Sequence, residues 1–152
     1  AAISTTEGTA TMFTTVVVGT NWTDTAEVAF VKALELTRQG GGRLHVVTAS
    51  PQSLPPASGR TAGASGSESI GPGFQADVVL ERTLDRLGAN DVDVRQHTAT
   101  ADPSDAILAV AEQVGADVIV VGNKGMHRRV LGSIPNTVSH RATCDVLIVQ
   151  TG

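Results

Sequence analysis

Short apolar runs alternate with amphipathic stretches along the chain. The runs are rich in Val and Ile, and such continuous apolar runs are typical of strands buried on both faces of a parallel sheet. They predict five strands, at 13–19, 43–50, 92–99, 118–121 and 145–150. The stretches between them place apolar residues at i, i+3, i+4 and i+7, which indicates helices with one buried face.

Capping residues and glycines set the helix boundaries. Asp102 can cap a helix whose first position is taken by Pro103, an arrangement typical of a helix start. Ser133 can act as the N-cap of the last helix, where Pro135 is tolerated because the N–H groups of a first turn have no intrahelical partner. The four predicted helices run from a cap at Thr23 or Asp24 to Gly40, and over 75–88, 102–115 and 133–141.

The alternation of strands with helices predicts parallel pairing through right-handed crossovers, and hence a three-layer α/β sandwich. No internal repeat is evident, so we expect one α/β domain over residues 13–152. In open sheets of this kind, ligands lie beyond the carboxyl ends of the strands, where the strand order reverses. The loops at 20–24 and 122–133 are the candidates for such a site.

Two segments have compositions that argue against regular structure. Pro, Gly and Ser dominate residues 51–74, which carry few large apolar side chains, and we expect a flexible loop there. A flap over the carboxyl end of the sheet and an idle insertion are both open interpretations of this loop. Residues 1–12 are mostly small and polar, and we expect them to form a disordered extension.

The composition argues against several function classes. A net charge of −4 and an aromatic content of 3% argue against a nucleic-acid-binding platform, which needs a broad basic face with stacking rings. No run approaches the roughly 20 apolar residues that span a bilayer, so we expect no membrane partner. The single cysteine, Cys144, cannot form an internal disulfide, and we therefore expect a cytoplasmic protein.

Glycines and basic residues are concentrated after the fourth predicted strand. Gly122 and Gly125 allow a ligand to approach the main chain closely, and the helix that starts near Ser133 directs free N–H groups and its dipole towards this loop. The same loop carries four basic residues, Lys124, His127, Arg128 and Arg129. The pattern predicts a phosphate site, and a solvated basic turn is the competing interpretation.

This arrangement resembles the universal stress protein family, whose nucleotide-binding members carry G-x2-G-x9-G-[ST] after the fourth strand. Gly122-Asn-Lys-Gly125 and Gly132-Ser133 match both halves, with six residues between them in place of nine. Val-Val-Val-Gly-Thr at 16–20 and Val-Leu-Ile-Val at 146–149 are also similar to the family. Asn21 stands where the nucleotide binders usually carry an aspartate.

The resemblance implies a Rossmann-like, five-stranded parallel sheet of order 3-2-1-4-5. It also implies a protein of the stress response that binds ATP or another adenine nucleotide, with any Mg2+ held by the phosphates. Val46 would present its backbone to the adenine, and Thr20 and Asn21 would flank the base and the ribose. The residues expected to hold phosphates, together with Arg128 of the basic loop, are Val121, Gly122, Gly125, Gly132, Ser133 and Ile134.

A homodimer is a further implication, in which strand five of one subunit meets its equivalent antiparallel. That strand lies at a sheet edge in the implied order, and no lysine or proline protects the edge. The apolar residues concerned are Val146, Leu147, Ile148 and Val149. The alternative function is a nucleotide-free homodimeric interaction module of the same fold. The alternative to a dimer is that the edge of strand five is exposed to solvent.

The remaining candidate residues do not predict catalysis. Trp22 could cover an adenine face, obstruct the pocket or pack on the first helix. His45, His97 and His140 are expected to be core or helix-end residues, because no second ligand recurs at metal-binding spacing. No nucleophile and base pair is evident, so we expect a binding protein and not an enzyme. A flavodoxin-type electron carrier is disfavoured, since no Ser/Thr-rich phosphate loop follows the first strand.

Overall fold

In the computed structural model of the chain, which describes residues 13–50, 74–123 and 132–151, five strands form one parallel sheet. The strands are β1 (Thr15–Gly19), β2 (Arg43–Ser50), β3 (Asp93–Thr100), β4 (Val118–Asn123) and β5 (Asp145–Gln150). The helices of the described ranges are α1 (Asp24–Gly40), α2 (Phe74–Leu87), α3 (Pro103–Val114) and α4 (Ser133–Arg141). The strand order is β3-β2-β1-β4-β5, as predicted.

Some predictions concern residues outside the described ranges. The expected disordered extension at 1–12, most of the expected flexible loop at 51–74, and the predicted phosphate contacts Gly125 and Arg128 lie there. Phe74 is the exception, because it is the first residue of α2 and so belongs to a helix that starts one residue earlier than predicted. Across the described ranges, no helix combines the length and the apolar character needed to cross a bilayer.

The boundaries of β2 and β5 are as predicted, and those of β1, β3 and β4 differ from the predicted ones by one or two residues. β4 runs to Asn123, beyond its predicted end at Val121, because Gly122 and Asn123 pair with Val149 and Gln150 of β5. The carboxyl end of β4 therefore reaches further into the predicted glycine loop than the apolar run alone indicates.

Side-chain caps fix the starts of α1 and α3. The Thr23 hydroxyl accepts a hydrogen bond from the N–H of Ala26 at 3.2 Å. The Asp102 carboxylate accepts bonds from the N–H groups of Ser104 and Asp105 at 3.0 and 3.3 Å. The predicted cap at Asp102 is confirmed, and Thr23 is the cap among the two predicted alternatives.

The central strands are buried on both faces of the sheet. Val16–Val18 of β1 are 0% exposed. Since successive side chains of a strand point to opposite faces, these residues contribute to two separate apolar layers. One layer contains Phe30 of α1 and Leu80 of α2, and the other contains Ile107 of α3 and Val138 of α4. The helices thus cover both faces of the sheet, which is the predicted three-layer arrangement.

Asp117 joins the starts of the two central strands. Its Oδ2 accepts hydrogen bonds from the N–H and the hydroxyl of Thr14 at 3.0 and 2.9 Å, and from the N–H of Thr15 at 2.9 Å. The bond from the Thr15 N–H, followed by those from Thr14, lowers the pKa of Asp117 below its ordinary value. The ionised carboxylate therefore holds the register between β1 and β4.

A histidine pair links β2 and β3. His45 Nδ1 and His97 Nε2 are 2.9 Å apart, so one imidazole donates and the other accepts. Burial lowers the pKa of both imidazoles, and the proximity of His97 lowers that of His45 further. Arg43 and Arg95 act on the pKa of His45 in the same direction, and Asp93 opposes them. Protonation of both rings would remove the acceptor and place two positive charges side by side, so the pair favours states in which at most one ring is protonated.

We expect Asp117→Ala to lower the free energy of unfolding at pH 7 by about 1 kcal/mol, a modest value because the carboxylate is exposed and water competes for it. Since folding lowers this pKa, the contribution is present above the ordinary carboxylate pKa of about 3.9 and is lost as the pH falls below it. Denaturant unfolding at pH 7 and pH 3 measures the difference from the parent. Asp145→Ala, at the exposed start of β5, is the control. An equal loss at both pH values would contradict the role of the charge.

The histidine pair predicts a loss of stability in mild acid. Because the pKa of each imidazole is lower in the fold than in the unfolded chain, stability is full above about pH 6.5 and falls as the pH decreases below it. Denaturation midpoints between pH 7.5 and 5 measure the slope. We expect His97→Gln to flatten it, since one titrating ring is removed. His140→Gln, at an exposed position in α4, should keep the acid loss, and an unchanged slope in His97→Gln would refute the assignment.

Candidate functional site

A cavity of about 360 Å3 lies at the carboxyl ends of β1, β2 and β4. It is bounded by the starts of α1, α3 and α4, at the point where the strand order reverses. Its lining residues are Gly19, Thr20, Asn21, Thr23, Thr25, Ala26, Ala29, Val47, Ala49, Pro103, Ile107, Val121, Gly122, Asn123, Gly132, Ser133, Ile134, Pro135 and Thr151. Open α/β sheets bind ligands at this position, and a volume of this size accommodates a small organic molecule.

The cavity wall is uncharged. Within the described part of the chain, none of the lining side chains is ionisable, and the polar ones are hydroxyls and amides. The apolar ones include Val47 and Ala49 of β2 and Ile107 of α3, which form a surface against which a flat ring can pack. Also within the described ranges, no three His, Cys, Asp or Glu side chains approach closely enough to hold a metal ion.

The structure brings together most of the predicted site residues from distant parts of the sequence. Seven of the ten line the cavity, namely Thr20, Asn21, Val121, Gly122, Gly132, Ser133 and Ile134. Gly125 and Arg128 lie outside the described ranges. Val46 is the remaining residue, and it does not line the cavity.

Val46 faces away from the cavity because of the alternation along β2. Its side chain is 0% exposed and packs in the same layer as Phe30. The carbonyl of Val47 accepts a hydrogen bond from the N–H of Thr20 at 3.0 Å, so the main-chain groups of Val47 point towards β1. Those of the preceding residue, Val46, therefore point towards β3. Ala49 repeats the orientation of Val47 and lines the cavity.

Trp22 shapes the loop between β1 and α1 without entering the cavity. It is the only residue other than glycine with a positive φ in the described ranges, at 63°. Its N–H donates to the Thr20 hydroxyl at 2.9 Å, and its indole N–H donates to the Thr48 hydroxyl at 3.0 Å. The ring packs against Phe30 with 5.6 Å between centroids. Of the predicted alternatives, the structure favours packing on α1, and these contacts maintain a backbone conformation that is strained for a side chain of this size.

Asn21 presents its amide nitrogen at the rim of the cavity. Its Oδ1 accepts hydrogen bonds from the N–H and the hydroxyl of Thr23, at 3.1 and 2.7 Å. Both bonds use the oxygen, so the amide N–H groups remain available to a ligand.

The start of α4 differs from those of α1 and α3. Gly132, and not Ser133, is the N-cap, and no side chain caps the helix. The prediction for Ser133 is wrong by one residue because the Gly132 N–H is held by Asn123 Oδ1 at 3.0 Å, while the Gly132 carbonyl accepts the first helical bond from Asn136. Ser133 and Ile134 therefore keep N–H groups without an intrahelical partner, beside the cavity.

Asn123 and Thr151 are two polar lining residues that were not among the predicted site residues. Asn123 ends β4 and is 2% exposed. The N–H and the hydroxyl of Thr151 donate to the Asn123 carbonyl at 3.1 and 3.2 Å, which brings the residue after β5 to the cavity. Both residues could have been placed at the cavity from the sequence. Asn123 lies inside the glycine motif, and Thr151 follows a strand whose carboxyl end must lie beside that of β4.

The family model described as "Universal stress protein family" matches residues 12–150 of the chain. The chain is 32% identical over 145 residues to Universal stress protein Rv1636 of Mycobacterium tuberculosis H37Rv, covering 91% of this chain and 97% of that protein. It is also similar to a solved universal stress protein in complex with cAMP, with a TM-score of 0.68 and 29% identity over 93% of this chain and all of that one. The solved hypothetical protein MJ0577 shares the fold, with a TM-score of 0.71 at 17% identity over 93% and 99% of the two chains. The chain therefore belongs to the universal stress protein family.

Proposed function

We propose that this protein binds an adenine nucleotide in the cavity at the reversal of strand order, and that it acts in the stress response by binding and not by catalysis. The observation that carries the proposal is the pairing of two features across one uncharged cavity: the main-chain groups of β2 beyond the end of β1, which have no backbone partner in the described ranges, and the start of α4, which has no side-chain cap. The solved family member in complex with cAMP, at 29% identity, supports an adenine-containing ligand.

The base would lie against the end of β2. β1 ends at Gly19, opposite Val47, so Ala49 has no strand partner on that side, and no backbone bond from the β1–α1 loop reaches it within the described ranges. Its N–H and C=O therefore face the cavity as a donor beside an acceptor. Adenine offers the complementary edge, with an amino donor next to a ring-nitrogen acceptor. In this proposal Ala49 takes the role expected of Val46.

The ribose would lie at the rim formed by the β1–α1 loop. The Asn21 amide supplies donors there, and the Thr20 hydroxyl lies on the same loop. Both groups are neutral, so they suit the hydroxyl groups of a sugar and do not repel an adjacent phosphate.

The phosphates would lie at the start of α4. The N–H groups of Ser133 and Ile134, which have no intrahelical partner, and the positive end of the helix dipole favour an anion. Gly132 leaves its main chain open to close approach by a phosphate, because it has no side chain. Its φ of −66° suits any residue, and a Cβ there would meet only ordinary contacts, at 3.7 Å from Asn123 Oδ1 and from Pro135. The fold alone thus does not require glycine at this position, whereas a phosphate against the main chain does.

ATP and AMP-type nucleotides are both compatible with this geometry. A Mg2+ ion accompanying ATP would be held by the phosphates, because no carboxylate lines the described part of the cavity. Contacts from Gly125 and Arg128 to the phosphates, and the cytoplasmic location, stay predictions.

Gly132→Val tests the site. The added side chain would occupy the phosphate end, and we expect affinity for AMP to fall at least about tenfold, the effect of an overpacked contact. The loss of unfolding free energy should not exceed about 1 kcal/mol, since the backbone angles are ordinary. Asn136→Val, exposed on the same helix, is the control. Calorimetric titration with AMP, cAMP and ATP measures the affinities, and the absence of binding to the unmodified protein would instead support the nucleotide-free interaction module.

We also propose a homodimer through β5. This strand is at the edge of the sheet, and Val146, Leu147, Ile148 and Val149 are each half-buried. The residues that face the first three of them in β4, Ile119, Val120 and Val121, are almost fully buried. A second copy, paired antiparallel across a two-fold axis, would satisfy the edge N–H and C=O groups and cover these side chains.

Light scattering across a dilution series tests the dimer. We expect a mass of twice the 15.6 kDa of the chain at micromolar concentration. Leu147→Arg should shift the protein towards monomer, because a desolvated charge would lie at the interface. Val28→Arg is the control, since Val28 is exposed on α1 and does not belong to the β5 edge. A monomer mass for the unmodified protein at every concentration would exclude the dimer.

A further inference from the structure

The side chain of Asn123 is a buried polar group in the wall of the cavity. It is 2% exposed at the last residue of β4. Its Oδ1 accepts from the Gly132 N–H at 3.0 Å, and its backbone carbonyl accepts from Thr151. Its amide nitrogen donates no hydrogen bond to any residue in the described ranges.

A buried amide N–H2 group without an acceptor is costly, and such groups in folded proteins are almost always paired with protein, water or ligand. The nearest open space is the cavity that Asn123 lines. Asn123 Oδ1 is bonded to Gly132 at the start of α4, so the Asn123 nitrogen and the N–H groups of Ser133 and Ile134 belong to neighbouring residues that all line this cavity. All of these groups are donors, so their common partner is a group with several acceptor atoms.

We propose that Asn123 determines the specificity of the site for a phosphorylated nucleotide. Its Nδ2 donates to the phosphate next to the ribose, while its Oδ1 holds Gly132 so that the start of α4 faces the same phosphate. This assignment rests on the proposed function, because it requires a nucleotide in this cavity. The amide is neutral and does not titrate, so it favours the phosphate without a counter-charge.

Asn123→Asp tests this assignment with adenosine and AMP as the two probes. A carboxylate keeps the acceptor that holds Gly132, but it removes the donor and places a negative charge beside the phosphate. In calorimetric titration at pH 7.5, the parent should bind AMP more tightly than adenosine. The variant should lose at least about tenfold in AMP affinity while adenosine affinity stays within about twofold.

A pH series separates a direct contact from a structural role. Protonation of the carboxyl group introduced by Asn123→Asp restores a donor and removes the charge, so AMP affinity relative to the parent should recover as the pH falls towards 5. Ser139→Asp adds the same charge to α4 at an exposed position outside the cavity and more than a turn beyond the start of the helix, and it should leave the ratio of AMP to adenosine affinity unchanged. Inorganic phosphate, titrated alone, should bind far more weakly than AMP if the base is also held.

Each outcome bears on the assignment. Equal losses for AMP and adenosine in Asn123→Asp, or no recovery in acid, would overturn it in favour of a purely structural role. If that variant does not fold, Asn123→Ser replaces it, and the AMP affinity should then fall towards the adenosine level. Equal affinities of the parent for AMP and adenosine would overturn the assignment while leaving adenine binding intact. Failure of the parent to bind either probe would overturn the proposed function, and this assignment with it.

Discussion

Burial of the two central strands on both faces is the constraint on which the rest of this structure depends. Because Val16–Val18 and the residues of β4 point alternately to two apolar layers, helices must cover each side of the sheet. The connections that leave β1 and β4 therefore diverge to opposite faces, with α1 in one layer and α4 in the other. The space between their starts is filled by no element of the described chain, so the cavity follows from the topology itself.

The three helix starts around this cavity are not equivalent. Thr23 and Asp102 satisfy the first N–H groups of α1 and α3, which leaves those helices little capacity to bind an external acceptor. At α4 the side chain of Asn123 uses its oxygen on the N-cap residue Gly132, outside the first turn. The site thus attracts an anion through the dipole at the start of α4 and through neutral hydrogen-bond donors. No negatively charged side chain in the described lining repels the anion.

Local signals in the sequence account for most of the fold, because the periodicity of buried positions and a cap such as Asp102 act within a few residues. The structure differs from the predictions where a residue distant in the sequence determines the local conformation. The N-cap of α4 is Gly132 and not the predicted Ser133, because Asn123, nine positions earlier in the sequence, accepts a hydrogen bond from the Gly132 N–H. In the proposed site Ala49 takes the role expected of Val46, because the main-chain direction depends on where β1 ends beside β2, which the residues of β2 alone do not specify. The location of the cavity was therefore predictable from the sequence, whereas the cap of α4 and the orientation of the main chain along β2 were not.

The loop that borders the cavity also contains the only tryptophan of the chain, Trp22. Its indole N–H is bonded to Thr48 and its main chain to the hydroxyl of Thr20, a residue of the cavity wall. The emission of an indole shifts when its hydrogen bonding and packing change, and a single emitter gives a signal that comes from one place. The protein therefore carries an intrinsic optical reporter one residue from Asn21, and changes in this loop can be followed in solution without an attached label.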